Sequence, residues 1–77
     1  MSNNGYTELK LDSDKKILSG HFFVTVPIDK TSYKVGDIVP IKNFKTGETE
    51  ECKITSVHPS EDKSGKEKGT MVHFEAI

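Results

Sequence analysis

Arginine is missing from this chain: all 11 basic residues are lysine. A guanidinium offers a rigid fork to bases and phosphates, and it stacks on rings, so its absence argues against sequence-specific reading of DNA or RNA. A formal net charge of −1 also removes the broad positive field that non-specific nucleic-acid binders use. Cys52 is the only cysteine. No intramolecular disulfide can form, which suits a reducing compartment. No apolar run approaches membrane-spanning length, and the polar stretch Met1–Gly5 has no apolar centre of a secretory signal. These absences predict a cytoplasmic protein with no membrane association.

Hydrophobic residues are also scarce, at 32% against 30% charged. A chain of 77 residues is enough for one domain with a thin core. Such a domain is expected to be marginally stable, with oligomerisation or a partner supplying the rest.

What is present reads as strand. Residues 1–5 are expected to be a disordered lead. Tyr6 to Leu11 alternates, with Leu9 and Leu11 on one face. Asp12-Ser13-Asp14-Lys15 is turn chemistry. A second strand is predicted from about Lys16 to Val26, with Phe22, Val24 and Val26 facing one way and Gly20 marking a bend. Pro27 to Lys34 breaks the period. Val35-Gly36-Asp37-Ile38-Val39-Pro40-Ile41 then reads as a tight turn feeding a third strand to about Phe44, with Pro40 placing it at an edge. Lys45-Thr46-Gly47-Glu48 is a hairpin turn with Gly47 left-handed. The fourth strand, Thr49 to His58, puts Cys52 and Ile54 on one face. Val57 joins them only if a bulge lies near Thr55-Ser56. Residues 59–69 carry no apolar side chain and predict a mobile loop. Thr70 to Ile77 alternates again, with Val72, Phe74 and Ala76 inward. The expected fold is all-β: five antiparallel strands in a small barrel-like sheet spanning residues 6–77.

From Gly20 to Ile77 the order of features resembles the β-barrel domain that follows the G domain in translational GTPases. A glycine precedes an apolar strand at Gly20 to Val26. A "vGD-v-i" turn and strand fall at Val35 to Ile41, a "V-s-v"-like strand end at Ile54 to Val57, and a glycine-led final strand at Gly69 to Phe74. The turn is also similar to those of SH3-like and KOW-type barrels. The chain differs from the translation family in having no GTPase domain and no arginine. The resemblance implies barrel topology, and barrels of this kind host many functions.

No catalytic or cofactor constellation stands out. His21, His58, His73 and Cys52 are the soft metal ligands, but none are paired at zinc spacing, so no metal and no cofactor is expected. Cys52 with His58 or His73 lacks any neighbour that would activate a thiolate. Glu48, Glu50 and Glu51 follow an exposed hairpin and read as a solvated face. No phosphate-cradling glycine motif opens a helix. The chain is therefore predicted not to be an enzyme.

Two binding functions remain. Phe23 lies opposite the Phe22, Val24, Val26 stripe, and Met71 and Ile77 lie opposite the core face of the last strand. These three predict an apolar patch for a protein partner or a second copy of the chain. The alternative is an RNA- or ribosome-associated surface built from Lys42, Lys45 and Lys53, with Tyr6, Tyr33 and Phe23 as stacking rings. Interleaved acids, among them Glu48, Glu50, Glu51 and Glu61, weaken its field. The protein-binding reading is preferred.

Overall fold

The protein is seen in a computed structural model, in which residues 7–77 are described. The expected lead at 1–5 and Tyr6 lie outside the described residues. The strands are β1 (Thr7–Leu11), β2 (Ile17–Val24), β3 (Ile38–Asn43), β4 (Glu48–Glu61) and β5 (Glu67–Ala76). They form one antiparallel sheet in the order β1-β2-β5-β4-β3. Among the described residues there is no helix. The all-β, five-stranded antiparallel expectation holds. The expected barrel closure is not present among the described residues: β1 and β3 are both edges of the sheet, and no ladder joins them.

The open sheet is nonetheless strongly curled. Ile17, Ile41, Cys52 and Phe74 form a buried cluster, and Leu9, Leu11, Phe22 and Val39 pack against it. This cluster draws side chains from both edge strands, so the sheet must bend until its two margins share one interior. Ile54 and Val72 are buried as well. At Gly20 the bend leaves no room for a side chain: a Cβ would strike the Glu8 carbonyl and stand 2.7 Å from Phe74 Cζ.

A polar clasp holds the margins together. Asn43, at the end of β3, is 0% exposed. Its Nδ2 donates to the Lys15 carbonyl in the β1–β2 turn (2.8 Å) and to Glu50 Oε2 (3.1 Å). Glu50 Oε1 in turn accepts from the Ile17 N–H at the start of β2 (3.2 Å). Asn43 Oδ1 accepts from the Lys45 and Thr46 N–H groups of the β3–β4 turn. A fully buried amide is tolerated because its donors and acceptor are all occupied.

The β4 bulge falls where the phase of Val57 requires it. The register jumps between Ile54 and Ser56, leaving Thr55 unpaired and setting Val57 opposite Val72. Gly36 and Gly47 hold φ of +96° and +83°, as their turn positions demand.

Other expectations are corrected. The segment 59–69 is mostly ladder: Pro59 pairs with Thr70, Ser60 with Gly69 and Glu61 with Glu67, leaving only residues 62–66 as turn. Pairing here continues beyond the apolar core, so hydropathy does not mark it. Val26 lies beyond the end of β2 and is exposed, its carbonyl accepting from Thr70 Oγ1 (2.7 Å). Ala76 is exposed as well.

Candidate functional site

The curl divides the molecule into an interior, already filled, and two outer features. The first is a groove beside the free edge of β3. The connection from Thr25 to Asp37 crosses the sheet and is tied at both ends. The Ile28 N–H donates to Glu67 Oε2 (2.8 Å). The Gly36 N–H donates to the Ile54 carbonyl (2.8 Å), and Ile54 returns its N–H to Asp37 O (2.9 Å). Between these anchors Tyr33 packs edge-on against Phe22, with ring centres 5.1 Å apart at 71°, the geometry that ring quadrupoles favour. Phe22, Tyr33, Pro40, Ile41, Lys42 and Phe44 then line a groove of about 380 Å³. Phe44 is 57% exposed, and Ile38 and Val35 nearby in sequence are 49% and 64% exposed. Lys42 is the one charged side chain in the lining.

The second feature is a row of imidazoles on the outer face. His21 of β2 pairs with His73 of β5, as the sequence allowed, with ring centres 5.3 Å apart. Glu8 Oε1 lies 3.6 Å from His21 Nε2. The β4 bulge carries His58 to a diagonal position, since Ser56 pairs with His73 and His58 with Met71. His58 Nε2 and His73 Nε2 are 3.2 Å apart. Burial, then the nearby His58 and His21, pulls the His73 pKa below its ordinary range, which favours the neutral ring.

The three residues expected to bind a partner do not form one patch. Phe23 and Met71 are cross-strand partners, both half-buried. The Phe23 ring covers Gly69, where a Cβ would collide with it, and Lys68 Nζ stands 5.9 Å from its centre. Ile77 is 76% exposed, but it lies six residues beyond Met71, roughly 20 Å along a strand.

The three lysines are also dispersed. Lys42 pairs with Thr49, while Lys53 sits four residues further along β4, roughly 13 Å away. Glu51, of the same parity as Lys53, lies between them opposite Pro40, and Lys53 is flanked by Glu75. Lys45 belongs to the β3–β4 turn.

The other constellations are separated by the fold. Cys52 is 0% exposed in the interior, whereas His58 and His73 face outward, so no Cys–His pair forms. Burial and then the Glu50 carboxylate push the Cys52 thiol pKa up, the opposite of activation. Of the three clustered acids, Glu50 turns into the clasp and Glu48 and Glu51 stay exposed. Among the described residues no group of three or more potential ligands converges on a metal position, and no helix is long and apolar enough to cross a membrane.

Sequence reasoning missed the groove. Alternation sets Phe22 on one face with Val24 and Val26, Phe44 at the end of a strand and Tyr33 among rings for RNA stacking, and none of these positions marks a shared groove. The available signal was Phe44, a large ring just before a hairpin turn, where strand parity gives it no interior place. Comparison with known protein families, curated proteins and solved structures finds no match for this chain.

Proposed function

We propose that this chain is a non-enzymatic binding module, and that the groove beside β3 receives an extended segment of a partner protein bearing apolar anchors and a carboxylate. The carrying observation is the wall formed by half-buried Tyr33 with exposed Pro40 and Phe44, with Lys42 as the one charged residue in the groove lining among the described residues. Rings and proline give contact area at small entropic cost, and a lone ammonium on an apolar wall favours an acidic group over a basic one. The segment binds by side chains and not by adding a strand, because Pro40 removes a backbone donor from the middle of the β3 edge. This reading treats the sheet as a barrel left open between β1 and β3, in the manner of SH3-like domains. It places the chain in the cytoplasm, where a lone cysteine stays reduced.

The test is selection from a displayed library of random peptides. Enrichment of sequences with an acid beside apolar or proline residues supports the reading. Tyr33→Ala and Phe44→Ala should abolish the binding, Lys42→Glu should weaken it, and moderate salt should leave most of it intact. Titration with mixed RNA covers the alternative. Steeply salt-dependent RNA binding lost on Lys42/Lys45/Lys53→Glu, with no peptide enriched, would overturn protein binding in favour of the RNA-associated reading. Concentration-dependent dimerisation abolished by Phe44→Ala would show that a second copy fills the groove and would overturn the proposed partner.

A further inference from the structure

The imidazole row holds a pair of nitrogens whose spacing has a chemical meaning. His58 Nε2 and His73 Nε2 are 3.2 Å apart, their ring planes are 21° from parallel, and their ring centres are 5.2 Å apart. The centres are thus further apart than the nitrogens, so the two Nε2 atoms lie on the near edges of the rings. Two imidazoles bound to one tetrahedral zinc at 2.0–2.1 Å place their nitrogens about 3.3 Å apart. The metal-free arrangement already has that bite.

A second contact prepares one of the two ligands. His58 Nδ1 lies 3.4 Å from the Pro59 carbonyl oxygen. A carbonyl only accepts, so this contact favours the tautomer of His58 with its proton on Nδ1 and a lone pair on Nε2. Metal-binding histidines are held in this tautomer by the same kind of backbone partner. With His58 in that tautomer, His73 Nε2 is the donor of the pair in the free protein. On metal binding the His73 proton moves to Nδ1 by way of water, and both Nε2 lone pairs become ligands with no net proton released. Beside the row, an open hollow of about 310 Å³, lined by Ser19, His21, Thr55 and His73 among others, leaves space for water.

We propose that His58 and His73 form a two-imidazole site for a borderline divalent transition ion, zinc or copper(II), with water completing the coordination. Imidazole ligands suit these ions and not magnesium or calcium. His21 is a neighbour of the pair, with its Nε2 3.6 Å from Glu8 Oε1, and stands outside the proposed two-ligand set. The bound ion links β4 to β5 across the Thr55 bulge, the irregular part of that ladder. Spacing in the sequence gives no sign of the pair, because its members are fifteen residues apart and meet only through the hairpin.

The experiment uses tag-free, metal-stripped chain titrated with Zn²⁺ alone, read by the histidine ring resonances and by thermal melting. The expected result is a one-to-one shift of the His58 and His73 ring signals, with a melting temperature that rises with zinc and not with magnesium. His58→Gln and His73→Gln should each weaken binding by at least about tenfold, equivalent to one step in the affinity scale, while His21→Gln should bind like the parent. Unmoved His58 and His73 signals would overturn the assignment, as would binding that survives both substitutions. An equal loss in His21→Gln would also overturn the two-ligand site. Because His58 is exposed, His58→Gln keeps the test valid even if substitution at the half-buried His73 disturbs folding.

Discussion

Replacing Asn43 by alanine tests whether the curl is held by its polar clasp. The substitution removes two donors and an acceptor from a fully buried position. The Lys45 and Thr46 N–H groups sit in an exposed turn and can turn to water. The Lys15 carbonyl and the Glu50 carboxylate cannot do so as fully. A buried partner left unsatisfied costs about 1–3 kcal/mol, and Glu50 keeps its bond from the Ile17 N–H, which places its share at the lower end. The expected loss is therefore about 2–4 kcal/mol, from a total that should be about 4–12 kcal/mol for a chain of this length. Urea unfolding followed by far-ultraviolet circular dichroism measures it. Asn43→Asp sharpens the test, because it keeps the shape but sets a second carboxylate against Glu50. It should be at least as destabilising at neutral pH and should regain stability on mild acidification, when one acid takes a proton. A loss below about 0.5 kcal/mol in Asn43→Ala, no more than an ordinary surface change, would refute the clasp.

Three further outcomes follow from single contacts. Gly69→Ala places a Cβ against the Val24 carbonyl and under the Phe23 ring and should lose about 1–3 kcal/mol by overpacking; adding Phe23→Ala should relieve only the part due to the ring, measured by the same unfolding curves. Cys52 should react with a soluble disulfide reagent only as fast as the protein opens, and since burial raises its folded pKa, stability should fall as pH rises past the ordinary thiol range; immediate reaction of the folded chain would contradict its place in the core. The Asp62 carboxyl is held below its ordinary pKa, first by the Ser64 hydroxyl and then by the Lys66 and Ser64 N–H groups, so its contribution is present above the unfolded carboxylate range and lost as pH falls; the protection of the 62–66 turn amides, taken relative to the intrinsic exchange rate at each pH, should fall on acidification and do so less in Asp62→Asn.

Most of the architecture was legible because it rests on local period. The inward places of Val72 and Phe74 in β5, the turns at Gly36 and Gly47, and the bulge that Val57 requires all follow from alternation and backbone sterics, whereas Ala76, at the end of β5, is exposed against the same alternation. The far ends of β4 and β5 were not legible. There the ladder runs on past the core through Glu61 and Glu67, charged residues that mark a loop by composition. The turns at Asp12 and Asp62 share one construction that composition does not reveal. In each, an aspartate Oδ1 accepts from the N–H groups two and four residues on: Asp14 and Lys16 for Asp12, Ser64 and Lys66 for Asp62. A left-handed residue follows at the fourth place, Lys15 at φ +67° and Gly65 at +84°. Lysine in that position hides the match. Asn43 was not legible as a clasp because its partner Lys15 is 28 residues away, and no pattern in one strand encodes a contact with another turn.

The placement of the two candidate surfaces follows from the shortage of apolar residues. A sheet this small can cover one face only by curling on itself, and the curl takes nearly every aliphatic side chain of the right parity. What is left outside is decided by irregularities. The bulge at Thr55 sets half-buried Val57 opposite Val72 and His58 diagonal to His73, so one backbone step creates the imidazole pair and keeps Val57 on the Val72 side of the sheet. At the other margin, β3 ends with Asn43 buried in the clasp, which forces Phe44, the next residue, to the outside. Pro40 in the same strand keeps the edge from recruiting another strand, and its ring joins Phe44 and Tyr33 in the groove. The clasp and the groove are therefore coupled through adjacent residues: a change that releases Asn43 also frees Phe44 to leave the groove wall. Loss of peptide binding in Asn43→Ala without loss of folding would be the signature of that coupling.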